Sequence, residues 1–559
     1  MWSESSSKNQ DPTQNVKTLD MMKSSVSLAQ PEPIDLQQTK ELEIALTEFD
    51  VIASDEELNY REGVLSKLNE MVKEWIFEIC LAHDVPQEVA EQVGGKIYSS
   101  GLYRLGVHQR GDRIEAVCVA PRLIDRSYYF STFYEKLKNR PEIKELRAIE
   151  ETFVPVLKMN FDGIDVSLSF ARLALKEIPD TLDLSDDMIL KNLDPRCIRS
   201  LHECRMSDEI LRLVPNVETF RLALHVIKLW AKQHGIYSNV LGYFGGISWA
   251  ILVAKTCQLY PNAVASTIIQ KFFSVFSQWN WPDPVSLKRP TKCNSNLPVW
   301  NSGYNMPDQA KLIPIISPTY PHRNSTFNVS RSTFKIVVDE LRTGFRISEA
   351  IMRGRANWQM LFEKPNFFAK YKHLMFLIAS SSTNDEHLEW RGLIEAKVWH
   401  LVTFLERNPG VCKVHVNPEI FELTTDYFKN NGSDSPKEND QVEQKPNSMW
   451  VLGLEFNEVK GTSLNLTPEI QDFTNAVMRH ANGIKMYRET MKIVAKYSRR
   501  KNLNDYLPIN IIRRDRPENL ILAPIIKDAT PVVKVKPIRK SDTSIDEASG
   551  PKTKVFREQ

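Results

Sequence analysis

Gly101-Leu-Tyr-Arg-Leu-Gly-Val-His108 is followed, after Gln109, Arg110 and Gly111, by Asp112-Arg-Ile-Glu-Ala-Val-Cys-Val-Ala120. The second stretch alternates as a strand does. Glu115, Val117 and Val119 fall on one face, and Ile114, Ala116 and Cys118 on the other. Pro121 lacks a donor for the ladder and ends it. Residues 153–159 and 164–170 read as two further strands, and Asn160-Phe-Asp-Gly163 between them as a hairpin turn. Upstream, Leu65, Leu68, Met71, Val72, Trp75, Ile76 and Ile79 recur at three- and four-residue spacing. That spacing predicts an amphipathic helix over 55–83, and a further helix is expected over 39–53. An aromatic helix is expected around Tyr128 to Tyr134.

Beyond Phe170 the period changes. Phe220, Ala223, Leu224, Ile227, Trp230 and Ala231 make one apolar helical stripe, with Gly235 as its stop. His225, Lys228 and Lys232 share another face, which by charge alone reads as solvated. Residues 246–258 are apolar nearly all round, the mark of a buried helix. The stretch 281–329, rich in Pro, Asn and Ser, reads as an extended connection, and 330–342 as a helix. Strands and helices then alternate over 373–379, 388–408, 412–416, 448–456 and 468–480, with a polar insert at 429–447 read as a mobile loop.

The composition bounds the rest. The chain has 559 residues, 42% hydrophobic and 25% charged, with net charge +2. That is enough for roughly three domains of about 150 residues, with no global field for nucleic acid. The seven cysteines are scattered without a CxxC pair, which argues against a disulfide framework or a zinc site and for a reducing compartment. No apolar run approaches a membrane span, and the first thirty residues are too polar for a secretory signal. A monomer in the nucleus or the cytoplasm, without membrane association, is expected.

Several segments together resemble the eukaryotic nuclear poly(A) polymerase family. They are Gly101 to His108, Arg196-Cys-Ile-Arg-Ser-Leu201, Ile227-Lys-Leu-Trp-Ala-Lys232, Ile236-Tyr-Ser-Asn-Val-Leu-Gly242, Gly245-Gly-Ile-Ser-Trp-Ala250, Asn324-Ser-Thr-Phe-Asn-Val-Ser330 and Phe367-Phe-Ala-Lys-Tyr-Lys-His373. Any one fragment is a weak signal; their order and spacing over about 34–507 carry the resemblance. It implies an α+β multidomain chain: a nucleotidyltransferase palm, a helical middle domain and an RRM-like C-terminal domain. The expected division is a disordered 1–32, a palm at 61–175, a middle domain at 33–60 and 176–350, an RRM-like RNA-binding domain at 351–507, and a flexible basic tail at 508–559.

The family adds AMP to RNA 3′ ends. Two Mg²⁺ or Mn²⁺ ions activate the attacking oxygen and stabilise the leaving pyrophosphate, and such ions want hard oxygen ligands. The resemblance implies three aspartates for them, two at i and i+2 on one strand and one on a neighbouring strand. Here those positions are Arg113, Glu115 and Ser167. Glu115 alone remains as a catalytic and metal-binding carboxylate. Arg113 is expected to pair with Glu115. Asp112 points to the opposite face, and Asp165 sits about 6.5 Å along the strand from Ser167. The family's triphosphate-cradling Gly-Ser pair reads Gly101-Leu102, after Ser100 where an aromatic is usual. His202 stands where the family has Asn.

Other positions match. Gly101, Lys228, Tyr237, Asn239, Gly245 and Gly246 fall at or beside the ATP pocket, with Lys228 as a point charge for phosphates and Tyr237 near the base. ATP binding is expected to be weak or lost. Arg104, Arg196, Arg199 and Arg205 are candidates for RNA phosphates, as is the basic run Lys496 to Lys501 with Arg513 and Arg514, whose bland reading is a solvated helix end. Trp450 and Phe456 read as core or as base-stacking groups. The expected function is that of a catalytically impaired member acting through RNA 3′ ends, poly(A) or mRNA 3′-processing proteins. The alternative is an active adenylyltransferase with a rearranged metal site.

Overall fold

Capping chemistry starts the first helices. Pro33 opens α1 (Pro33–Thr47), where its missing N–H leaves no intrahelical bond unmade, and Glu32 and Asp35 cap each other's backbone. Ser54 caps α2 (Asp55–Ala82), whose first turn carries Asp55, Glu56 and Glu57 against the positive end of the helix dipole. The structure is a computed structural model that describes residues 25–150, 152–289, 299–300, 310–423, 446–457, 464–508 and 511–512. The segment before α1 is ordered from Ser25, against the expectation of disorder to residue 32: the Val26 N–H donates to Leu259 O at 2.8 Å. Residues 1–24, most of the polar insert, and the tail with Arg513 and Arg514 lie outside the described residues.

Five strands build the first sheet: β1 (Lys96–Ser99), β2 (Ile114–Ala120), β3 (Ile143–Ile149), β4 (Val156–Phe161) and β5 (Ile164–Arg172). Their order is β1-β2-β5-β4-β3, and β2–β5 is the parallel pair. Asp162 and Gly163 form the β4–β5 turn at φ 49 and 85, a pair of left-handed residues whose twist suits a tight hairpin. The sequence reading missed β3. It is an edge strand with Lys144, Glu145 and Arg147 exposed, so its alternation is masked by the charges that keep an edge soluble. Phe153, expected in β4, lies outside it and is 69% exposed.

Two layers cover this sheet. Ile114, Ala116, Cys118 and Leu168 pack on α2 and the π-helical turn Tyr129–Phe133, where Trp75, Tyr129 and Phe170 form an aromatic core. On the other face Val117, Val119 and Ala171 meet α4 (Pro195–Leu213). A short helix, α3 (Gly101–Arg104), runs between β1 and β2 and touches α4.

The helical layer holds α5 (Val217–Gln233), α6 (Gly246–Leu259), α7 (Ala265–Ser277) and α8 (Arg331–Met352). The sequence reading missed α7, and α8 continues ten residues past its expected end at 342. Trp230 meets Trp249 at 5.7 Å and Phe273 at 4.8 Å. Gly344 of α8 lets Phe273 close in; a Cβ there would stand 2.4 Å from the ring. α1 joins this layer through the Thr39 and Ser266 hydroxyls, 2.9 Å apart. The connection over 281–329 is partly buried where described, with Ile313 and Ile315 in the core.

The last sheet comprises β6 (His373–Ser380), β7 (Val411–Phe421), β8 (Asn447–Phe456) and β9 (Lys492–Arg499) in the order β7-β8-β6-β9. With α9 (Asn384–Glu395), α10 (Val398–Leu405) and α11 (Thr467–Gly483) this is the RRM-like βαββαβ topology, carrying an extra helix in the first crossover. Both faces are covered. Met375, Leu377, Trp450 and Leu452 lie under the helices. Leu374, Phe376, Ile378 and Val451 lie under Leu503 and Leu507, and Tyr506 stacks flat on Phe376 at 4.1 Å. Trp450, 1% exposed, is therefore core and no base platform. Phe456 packs against His373 at 5.0 Å. The basic run is no helix end: Lys496 to Arg499 belong to edge strand β9, and Arg500 begins a 3₁₀ turn.

A buried charged knot ties the helical layer to this last unit. His234 Nδ1 meets Glu340 Oε2 at 2.8 Å, and Lys370 Nζ lies 3.3 Å from the other Glu340 oxygen. His234 and Lys370 together hold the Glu340 carboxyl down at about 2 against the cost of its burial. A carboxyl depressed by folding stabilises above its unfolded pKa, and that contribution is lost as pH falls through the folded value. Wild type should thus lose roughly 3 kcal/mol more than Glu340→Gln between pH 5 and pH 2, read from urea midpoints. Equal acid sensitivity of the two proteins would remove Glu340 from this role.

Candidate functional site

Sheet register decides which side chains meet. Glu115 on β2 pairs with Ser167 on β5, and Ser167 pairs with Lys158 on β4. Directly paired residues point to one face, so a carboxylate, a hydroxyl and an ammonium stand in a row. Arg113 lies just before β2. Lys158 was not anticipated: its part emerges only once β4 is registered on β5. Burial, and then Arg113, lower its pKa.

Glu115 is pressed against α3. Gly101 has φ +61, and a Cβ there would stand 2.1 Å from Glu115 Oε2, so only glycine fits. Burial raises the Glu115 pKa against the opposing pull of Arg113, and Asp112 adds to the rise. On α4, crowding and the charge of Glu115 raise the Glu203 pKa, but its side chain is exposed and water screens both effects. No local sequence signal marked Glu203. The expected Arg113–Glu115 pairing is not made: among the described residues no carboxylate lies within 4.0 Å of Arg113. The guanidinium acts on Glu115 through space.

Neither neighbouring aspartate is free to take over. Asp112 accepts the Gln109 N–H at 2.8 Å, and its carboxylate pairs with Lys228 and, at 3.3 Å, with Lys232. Asp165 accepts from Asn160 Nδ2 at 2.9 Å across the hairpin. Among the described residues no three His, Cys, Asp or Glu side chains group so as to hold a metal ion. Paired divalent cations need several hard anionic ligands. One glutamate, its pKa raised by burial, beside Arg113 and Lys158 does not fit them.

The matched nucleotide residues do come together. Gly245 caps α6 and Gly246 begins it. Asn239 Cβ lies 3.3 Å from where a Gly245 Cβ would sit, and Asn239 Oδ1 is buried without a partner. Leu102 now enters this set. Its Cδ1 and the Tyr237 hydroxyl would each stand 2.8 Å from a Gly246 Cβ. The Leu102 side chain thus packs from α3 against Gly246 at the start of α6. Lys228 is not on a solvated face: it is 1% exposed, donates to Val107 O at 3.0 Å and pairs with Asp112. Burial lowers its pKa to about 8 although Asp112 opposes the fall.

The arginine candidates part company. Arg205, 3% exposed, donates to Leu184 O and Tyr320 O at 2.7 and 2.8 Å and pairs with Asp187; it is a structural clamp and faces no RNA. Arg104 pairs with Asp208 at 2.7 Å. Arg196 is exposed, and Arg199 lies 4.3 Å over the Phe153 ring. The Asp112–Lys228 pair has a measurable consequence. Asp112→Asn leaves a buried ammonium without its counter-charge and should cost about 3 kcal/mol in urea unfolding at pH 7. A loss within experimental scatter would mean that Lys228 does not depend on Asp112.

Family models match three consecutive stretches: the poly(A) polymerase nucleotidyltransferase domain at 22–214, the poly(A) polymerase central domain at 219–364, and the poly(A) polymerase predicted RNA binding domain at 366–516. The chain is 40% identical over 484 residues to a poly(A) polymerase of Dictyostelium discoideum, covering 86% of this chain and 58% of that protein. It is 39% identical over 401 residues to nuclear poly(A) polymerase 1 of Arabidopsis thaliana, covering 72% and 56%. To poly(A) polymerase PAPalpha of Candida albicans it is 36% identical over 431 residues, covering 73% of this chain and 77% of that one. The chain thus spans little more than half the length of the first two. The crystal structure of the Cid1 poly(U) polymerase overlays with a TM-score of 0.41 at 12% identity, over 58% of this chain and 99% of that one. Three successive family domains and a relative matched over most of its length lead to one conclusion: this chain belongs to the poly(A) polymerase family.

Proposed function

We propose that this chain is a poly(A) polymerase relative that has lost efficient adenylyl transfer and acts by binding RNA 3′ ends, or proteins of mRNA 3′-end processing, in the nucleus. One observation carries the reading. At the three positions the family gives to metal-binding aspartates, this chain has Arg113, a half-buried Glu115 whose pKa is raised, and Ser167 registered against Lys158. Two-metal chemistry depends on those anions to hold its ions, so a guanidinium at one position and a neutral hydroxyl at another remove the means of activating the nucleophile. The Leu102 contact at Gly246 supports weak ATP binding, since an apolar group offers phosphate no hydrogen bond. RNA as a partner is supported by the match to a predicted RNA binding domain, and the nucleus by the Arabidopsis relative's name.

The test is primer extension with purified protein, ATP, an oligo(A) primer, and Mg²⁺ or Mn²⁺. Wild type should extend no more than an Arg113→Ala, Glu115→Ala control. Leu102→Ser, Arg113→Asp, Glu115→Asp and Ser167→Asp, combined, should yield extension at least about a hundredfold above wild type, because they return a metal-binding anion set and a phosphate-facing hydroxyl. Wild-type extension well above the control would instead establish the active enzyme with a rearranged metal site.

A further inference from the structure

Arg199, His202 and Arg205 recur every three residues along α4 and so share one face of that helix. Arg205 fixes what packs there: its guanidinium donates to Tyr320 O at 2.8 Å and draws the 317–323 segment onto the helix. That segment folds back on itself. The Ser317 N–H donates to Arg323 O at 2.9 Å, the Arg323 N–H donates to Ser317 Oγ at 3.0 Å, and His322 Nδ1 meets Ser317 O at 2.9 Å. Arg323 is thereby brought to Arg199, both half-buried.

These two guanidiniums lack a counter-charge. Among the described residues neither has a carboxylate within 4.0 Å. Of the nearby acids, Asp187 pairs with Arg205, and Glu203 lies beyond 4.0 Å from both guanidiniums. Burial lowers the Arg323 pKa, and the charge of Arg199 lowers it further. His202 is pushed down to about 3 by burial and then by Arg323, Arg205 and His322. Arg199 Nε and His202 Nδ1 are buried with no hydrogen-bond partner. Phe153 stacks on Arg199 and fixes the plane of its fork.

Half-buried like charges and orphaned donors are costly unless an anion joins them. We propose that Arg199, Arg323 and His202 form a phosphate site that takes a terminal phosphate dianion, each guanidinium donating to two oxygens and His202 donating from Nδ1. Two planar forks and a charge of +2 match a phosphate monoester better than a carboxylate. The ligand is a nucleotide phosphate or the phosphorylated end of an RNA. The site needs no metal and none of Arg113, Glu115 or Ser167, so it stands whether or not the chain transfers adenylate.

The test uses the full chain at constant ionic strength, with chloride as the reference salt. Inorganic phosphate should raise the Tm of wild type beyond chloride. Arg323→Gln and, separately, Arg199→Gln should bind phosphate about tenfold more weakly. In chloride alone each variant should melt no earlier than wild type, because the repulsion is relieved, whereas loss of a structural arginine would lower Tm. Lys191→Gln, an exposed lysine before α4, should keep the full response. Calorimetry with AMP, 3′-hydroxyl oligo(A) and 3′-phosphorylated oligo(A) then separates the sources. Tighter AMP binding assigns a nucleotide, and tighter binding of the 3′-phosphorylated oligomer assigns an RNA end. Equal binding of the two oligomers overturns a site for a terminal dianion. So does the absence of phosphate-specific stabilisation, or stabilisation that survives both arginine substitutions.

Discussion

The parallel pairing of β2 with β5 is the constraint on which the site depends. It sets Glu115 opposite Ser167, and the antiparallel hairpin beyond it sets Lys158 opposite Ser167. The pairing is held from both sides, by α2 with its aromatic core on one face and by α4 on the other. A slip of one residue would turn Val117 and Val119 away from α4 and drive Glu115 into the aromatic core under α2. The same register that keeps the sheet buried therefore keeps Glu115, Ser167 and Lys158 in one row, where Arg113 and Lys158 accompany a single carboxylate, the reverse of an acidic metal cradle.

That reversal propagates through neighbouring groups. Lys228 and Lys232 converge on Asp112, which gives a buried ammonium a partner within the protein. Glu115, enclosed and facing Glu203, is driven toward its neutral form. Leu102 extends the apolar contact of α3 to α6. Each adjustment lowers the cost of burying charge without requiring an ion, as expected where unpaired buried charge is the dominant penalty. Along the same helix the balance tips the other way, and Arg199 and Arg323 stand together with no carboxylate within 4.0 Å among the described residues.

The last sheet carries a parallel lesson. An RRM-like sheet reads RNA with aromatics on its open face, but here that face is closed by Tyr506, Leu503 and Leu507. The remaining accessible feature is the β9 edge, with Tyr497 half-exposed and its hydroxyl 2.7 Å from His373 Nδ1.

The sequence alone determined the family, the alternation of β2, the helical stripe of α5 and the buried α6. These are local: periodicity and residue identity at fixed spacing suffice, because strand faces and helix faces repeat every two and 3.6 residues. It missed β3, whose edge position permits charges that hide its period, and α7, although Ile268, Ile269, Phe272, Phe273 and Phe276 carry a clear helical stripe. Only tertiary structure decided that Lys228 is buried, that Arg205 is a clamp, that Trp450 is core, and that Leu102 packs against Gly246. It alone brought Lys158, Glu203 and the Arg199–Arg323 pair to their neighbours. Electrostatic environment depends on what lies across space, and residues 120 positions apart in the chain leave no local trace of being in contact.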